Sequence, residues 1–164
     1  MKKILLFVVL LAFVCFTTAC GSSGSKNKAT RTVEDLLDLY VKAYTKADSD
    51  AAREIFPPFY IKYADEKGIF DKAKLESSLE NAKERYGDDF TIVYEITKTT
   101  KLTDEELEEV NNMYNQYFGT TDKASECYKY EGTITFKGST YTDTDPISSM
   151  GYCKYDGAWY LVNY

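Results

Sequence analysis

The sequence predicts an α+β domain in which N-terminal helices pack on one face of an antiparallel sheet of about four strands. Three observations carry this. Apolar residues recur at helical spacing through residues 33–86, a strict alternation takes over at residues 90–100, and Asp156-Gly157 divides two later apolar stretches with a two-residue hairpin signal. With 164 residues, 44% of them hydrophobic, the chain has material for one core rather than two.

In the first helix Val33, Leu36, Leu37, Tyr40, Val41 and Tyr44 form one stripe, with Thr32 placed to cap it and Asp35 three residues on. After Asp48-Ser49-Asp50 a short helix runs through Ile55 and Phe56, and Pro57-Pro58 is expected to stop it because proline has no N–H to donate. Asp71 is placed to cap a third helix, Lys72 to Tyr86, which carries Leu75, Leu79, Ala82 and Tyr86 on one face and Gly87 at its end. Phe90, Ile92, Tyr94 and Ile96 then alternate with Thr91, Val93, Glu95 and Thr97, the period of a half-buried strand. Thr103-Asp104-Glu105-Glu106 is a capping box; it opens a helix with Leu107, Val110, Tyr114, Tyr117 and Phe118 on one face and Gly119 beyond it. Three strands close the chain, about Ser125–Lys137, Ile147–Tyr155 and Ala158–Asn163.

Before this domain comes an address. Lys2 and Lys3 precede thirteen apolar residues, Ile4 to Phe16, and then Thr17-Thr18-Ala19-Cys20. Thirteen residues make roughly 20 Å of helix, short of the roughly 30 Å hydrocarbon core, so a signal peptide over residues 1–19 is expected rather than a permanent span. Thr17-Thr18-Ala19-Cys20-Gly21-Ser22 resembles the lipobox of bacterial lipoproteins, although Thr17 stands where that motif most often carries leucine. The resemblance implies that Cys20 is diacylated and becomes the mature N-terminus; an ordinary secretory signal is the alternative. Two acyl chains anchor stably where one is marginal, which places the domain on the extracellular face of the cell membrane. Residues 20–31 then read as a flexible tether, whose Lys26, Lys28 and Arg31 could touch anionic headgroups but more often serve solubility alone, and residues 32–164 as the single domain. Removing Lys2 and Lys3 takes the count from 20 basic and 26 acidic residues to 18 and 26, a net charge of −8.

That charge disfavours nucleic-acid binding through phosphates. Histidine is absent, which excludes serine–histidine and cysteine–histidine catalysis and the common catalytic zinc sites. Asp143-Thr144-Asp145 and Asp88-Asp89 lack the ligand spacing of a calcium loop and read as turns, so neither a metal nor a cofactor is expected. Two cysteines remain beyond Cys15 and Cys20. An antiparallel register centred on residue 140 sets Cys127 opposite Cys153, and a disulfide suits an oxidising compartment; two free thiols are the alternative.

The N-terminal helices, the closing strands and the hairpin Lys154-Tyr155-Asp156-Gly157-Ala158-Trp159-Tyr160-Leu161-Val162 together resemble the nuclear transport factor two-like, cystatin-like superfamily. Over residues 33–164 the chain is similar to its small lipoprotein members in Gram-positive bacteria. The resemblance implies a cone-shaped fold in which a curved sheet and its helices enclose a pocket, a scaffold shared by isomerases, dehydratases and binding modules, so that function must be read from the site. With the aromatic faces inward, the inner positions include Phe90, Ile92, Tyr94, Ile96, Tyr128, Tyr130, Ile134, Phe136, Met150, Tyr152, Trp159 and Leu161, and none is a carboxylate. Tyr94, Tyr128, Tyr130, Tyr152 and Trp159 are the candidate lining for a small hydrophobic or aromatic ligand, with ordinary aromatic core as the alternative. A non-enzymatic module that binds such a ligand or an envelope protein is the expectation. For an envelope protein the candidate surface is Phe59, Tyr60, Tyr63, Tyr141 and Tyr164. An isomerase- or dehydratase-like enzyme is the alternative; it needs Glu95 or Glu131 turned inward beside a tyrosine.

Overall fold

The structure, a computed structural model, describes residues 27–147 and 150–163. The leader, Cys20 and Tyr164 lie outside the described residues.

Helix α1 (Val33–Lys46) opens on a reciprocal cap: Thr32 Oγ1 accepts from Asp35 N–H while the Asp35 carboxylate accepts from Thr32 N–H. Asp48 caps α2 (Ser49–Ile55) through Ala51 N–H. The next element departs from the sequence expectation. Pro57-Pro58 does end α2, but Pro58 is also the first residue of α3 (Pro58–Glu66), because the first turn of a helix needs no N–H from that position. Helix α4 (Lys72–Tyr86) ends at Gly87, strand β1 (Thr91–Lys101) follows, and the Thr103–Glu106 box caps α5 (Asp104–Phe118), which Gly119 closes at φ 61°.

The remaining chain is β2 (Ala124–Lys137), β3 (Thr142–Ile147), β4 (Met150–Tyr155) and β5 (Ala158–Asn163). All pairings are antiparallel, in an open sheet of five strands. Strand β2 is its spine: β1 pairs along one side, while β4 pairs with its first half and β3 with its second half on the other. Asp143, Thr144 and Asp145, expected as a turn, lie in β3. An edge strand pairs on one side only and so tolerates Pro146 and the two carboxylates, which also guard it against further pairing. The Asp156-Gly157 hairpin has both residues at positive φ, 48° and 78°, as a tight primed turn requires. A bulge between Ile96 and Lys98 resets β1 against β2; there Gly132 lies so close to Glu95 O that a Cβ would collide with it.

Helices cover both faces of the sheet, not one. On the first face α1 and α2 bring Leu36, Leu37, Ala52 and Ile55 onto Tyr130 and Leu161, and Val41, Leu79 and Ala82 from α1 and α4 meet Phe90, Ile92 and Phe136. On the second face α5 sets Val110 and Tyr114, with Phe59 of α3, against Cys127, Cys153, Tyr155, Tyr160 and Val162. The signal for this was present: Tyr160, Leu161 and Val162 are consecutive and all buried, as in a strand covered on both sides. Two polar clasps fix α5. The buried Asn111 side chain donates to Ala124 O and accepts from Ala124 N–H, and Tyr114 Oη donates to Asn163 O at 2.6 Å and accepts from Asn163 N–H at 3.0 Å.

The chain enters the domain earlier than residue 32. Lys28–Thr30 forms one 3₁₀ turn capped by Asn27, Lys28 lies over the Tyr160 ring, and Arg31 is buried, bonded to the Glu54 carboxylate and to Glu54 O. A buried guanidinium with both partners in place belongs to the fold, not to a tether.

Candidate functional site

Four of the five aromatic residues singled out from the sequence come together on the first face. Tyr128 and Tyr152 stack at 5.1 Å between centroids and 13° between planes, Trp159 meets Tyr152 at 5.0 Å, and Tyr130 meets it at 6.5 Å. Neighbouring strands are about 4.8 Å apart, so rings on adjacent strands stand edge-up and close on one another. Two lysines occupy further ring surface, Lys101 over Tyr128 at 5.9 Å and Lys154 over Trp159 at 5.5 Å. Tyr130 is core. Tyr94 stands apart, donating to Asp38 Oδ1 at 2.8 Å; burial, and then this carboxylate, raise its pKa. None of these five residues lines any of the three hollows described next.

The open space lies beside the sheet, where β5 ends and β4 begins. One lobe of about 340 Å³ is bounded by Phe56, Pro57, Tyr60, the α5 residues Met113, Tyr114, Tyr117 and Phe118, and Leu161 to Asn163 of β5. A second lobe of about 360 Å³ runs between α1, α2 and α4 and includes Tyr40, Tyr44, Ile55, Phe70, Leu75 and Met150. Phe56, Tyr60 and Asn163 line both, so the two lobes adjoin around these residues. Their walls are themselves an aromatic cluster: Phe56 meets Tyr60 at 4.6 Å and Phe70 at 5.7 Å, and Phe118 meets Tyr60 edge-on at 5.6 Å. Tyr117 and Tyr44 stand at the rim, 76% and 45% exposed.

No residue lining either lobe is charged, in a chain that is 28% charged. Their ionisable groups are tyrosines, and burial raises three of them: Tyr114 is pushed up to about 12, and Tyr40 and Tyr60 are raised as well. A third hollow, about 540 Å³, contrasts with this, being bounded by Asp122, Lys123 and Asp156 beside Pro58, Tyr155 and Tyr160.

The carboxylates considered for catalysis point elsewhere. Glu95 is exposed, and exposed Glu131 pairs with Lys98 at 2.7 Å. The bulge falls after Glu95 and leaves both on the side away from Tyr94 and Tyr130. Among the described residues no three His, Cys, Asp or Glu side chains converge in a way that would hold a metal ion, and no helix is long and apolar enough to cross a membrane. Cys127 and Cys153 face each other across β2 and β4 at disulfide-bonding distance, Cα to Cα 4.1 Å, both buried.

Of the surface patch expected for a partner, Tyr60 lines the cleft and Tyr63 flanks it through Phe118 at 5.3 Å, while Phe59 packs inward on Tyr155 at 5.2 Å. Tyr141 lies apart, stacked on Tyr86 beneath Arg85. Phe56, Met113, Tyr117 and Asn163 were not singled out from the sequence. The available signal was the run Val110 to Thr121, twelve residues with no charge.

Fold and cleft together define an α+β domain with an open five-stranded sheet and an uncharged, aromatic-walled cleft between its helices. The chain matches no protein-family profile, no curated protein and no solved structure.

Proposed function

We propose that the protein is a lipid-anchored, extracytoplasmic binding module of cystatin-like type, non-catalytic, held to the membrane at Cys20, with the two-lobed cleft as its binding element. The uncharged cleft carries this reading. Pockets of a few hundred cubic ångströms with apolar walls and a few polar groups are the usual form of small-ligand sites. Walls whose only ionisable groups are tyrosines suit binding and offer no carboxylate as a general base. The leader, the lipobox-like run ending at Cys20 and a cysteine pair placed for a disulfide all agree with life outside the cytoplasm.

The test is a thermal-shift screen of the full chain in detergent against uncharged aromatic metabolites, sterols, bile acids, cell-wall fragments and peptides. A ligand at about 100 times its Kd adds roughly 2.7 kcal/mol, which raises Tm by about 5–10 °C in a domain of this size. A dose-dependent shift that is lost in Phe56→Ala supports the reading; silence across the panel overturns it. Intact mass of the mature N-terminus checks the anchor, where absence of two acyl chains removes that part of the proposal.

A further inference from the structure

Taking the binding-module reading as its basis, we infer that the two lobes hold one uncharged, ring-bearing ligand lying across Phe56 and Tyr60. Adjacency is the first reason: the same two rings and Asn163 border both lobes, so a ligand lying over these residues reaches both. Charge is the second. A carboxylate or ammonium group drawn between these walls loses its hydration and meets no opposite charge. Size is the third. Lobes of about 340 and 360 Å³ together hold roughly two dozen non-hydrogen atoms at ~30 Å³ for each water-sized atom. Ring walls set for offset and edge-on contacts favour a ligand with rings of its own. Asn163, which lines both lobes and whose backbone is fixed by Tyr114, carries an amide donor and acceptor that suit a small polar link in the ligand.

The chain provides its own reporters. It has three methionines; of the two in the domain, Met113 lines one lobe and Met150 the other. The probe is 4-phenoxybenzophenone, which is uncharged and has three rings, set against the same skeleton bearing a carboxylate. On irradiation the excited ketone takes a hydrogen atom from a carbon next to the methionine sulfur, and the two carbon radicals join. The carbonyl becomes a tertiary alcohol and the whole probe mass stays on the residue, to be located by peptide mass spectrometry on the full-length chain in detergent.

The expected result is saturable labelling of both Met113 and Met150 by the neutral probe and at least tenfold less by the carboxylate. Two rim substitutions test the single occupant without touching the core: Ser78→Trp fills the second lobe, and Tyr117→Arg charges the mouth of the first. Each should cut labelling at both methionines at least tenfold. If each variant protects only the methionine of its own lobe, the single-ligand inference falls while the binding module stands. Equal labelling by the carboxylate overturns the uncharged class. Saturable labelling at neither methionine overturns the inference outright, whereas a thermal shift with another class of compound would still uphold the binding module.

Discussion

Two groups of rings in this protein have nearly the same composition and opposite outcomes. Tyr128, Tyr152 and Trp159 on the sheet meet at 5.0 to 5.8 Å and line none of the three hollows described, whereas Phe56, Tyr60, Tyr114 and Phe118 between the helices wall a cleft. The difference is set by the backbones. Strands lie about 4.8 Å apart, near the thickness of a ring and its neighbour, so side chains on adjacent strands fill the space. Packed helices lie about 8–10 Å apart, so rings that meet each other at 4.6 to 5.6 Å between them still border open space. Richness in tyrosine therefore says little about binding; the spacing of the elements that carry the rings decides it.

The largest effect expected within this contrast falls under the sheet file. Cys127 and Cys153 lie next to Tyr128 and Tyr152 in the same register but on the opposite face, so a bond between them pins the stacked pair. For a sequence separation of 26, replacing both cysteines by alanine should cost about 3–4 kcal/mol in urea unfolding. Two free thiols found in the unfolded, unreduced chain would refute the bridge.

Next comes the cleft's own clasp. The Tyr114 hydroxyl is pushed by burial from 10.0 up to about 12. Between those values the unfolded chain releases this proton and the folded chain keeps it. Its contribution is thus complete below about pH 10 and is lost as pH rises to about 12, roughly 2–3 kcal/mol in all. Tyr114→Phe should cost about 1–2 kcal/mol at neutral pH by removing both bonds to Asn163, and should flatten the alkaline limb of stability measured by urea titration from pH 9 to 12.

A paired comparison, ending on the smallest effect, sets one ring of each group against the other. Tyr152→Ala should lower stability by about 2 kcal/mol and leave labelling of the cleft unchanged, since its ring packs on Tyr128, Tyr130 and Trp159. Tyr117→Ala, at the exposed rim, should change stability by no more than about 0.5 kcal/mol and weaken labelling at both Met113 and Met150. The reverse pattern, a sheet variant that abolishes labelling and a rim variant that does not, would erase the distinction between the two regions.

Much of the fold was readable because the signals are local. The Thr32 and Thr103 boxes, the glycines at 87 and 119, the Asp156-Gly157 turn and the alternation from Phe90 to Ile96 each act within a few residues, and all appear where their chemistry places them. The pairing of Cys127 with Cys153 was readable for a related reason: an antiparallel register follows from one centre of symmetry. Helix α3 and strand β3 were missed where a local signal carries two meanings. Proline stops one helix and starts the next at Pro58, and Asp-Thr-Asp-Pro suits a turn or a guarded edge strand.

By itself, then, the sequence determined the order and ends of most elements, the α+β class, the strand phase that turns Glu95 and Glu131 away from the aromatic face, and the register that brings the cysteines together, because each follows from backbone periodicity or hydrogen-bond termination over short spans. Only the tertiary structure decided that α5 covers the second face, that Arg31 is buried against Glu54, and that residues from seven separate elements leave an uncharged cleft between them. A cavity is what packing fails to fill, and no repeat along the chain encodes a shortfall shared by helices and strands that meet only in space.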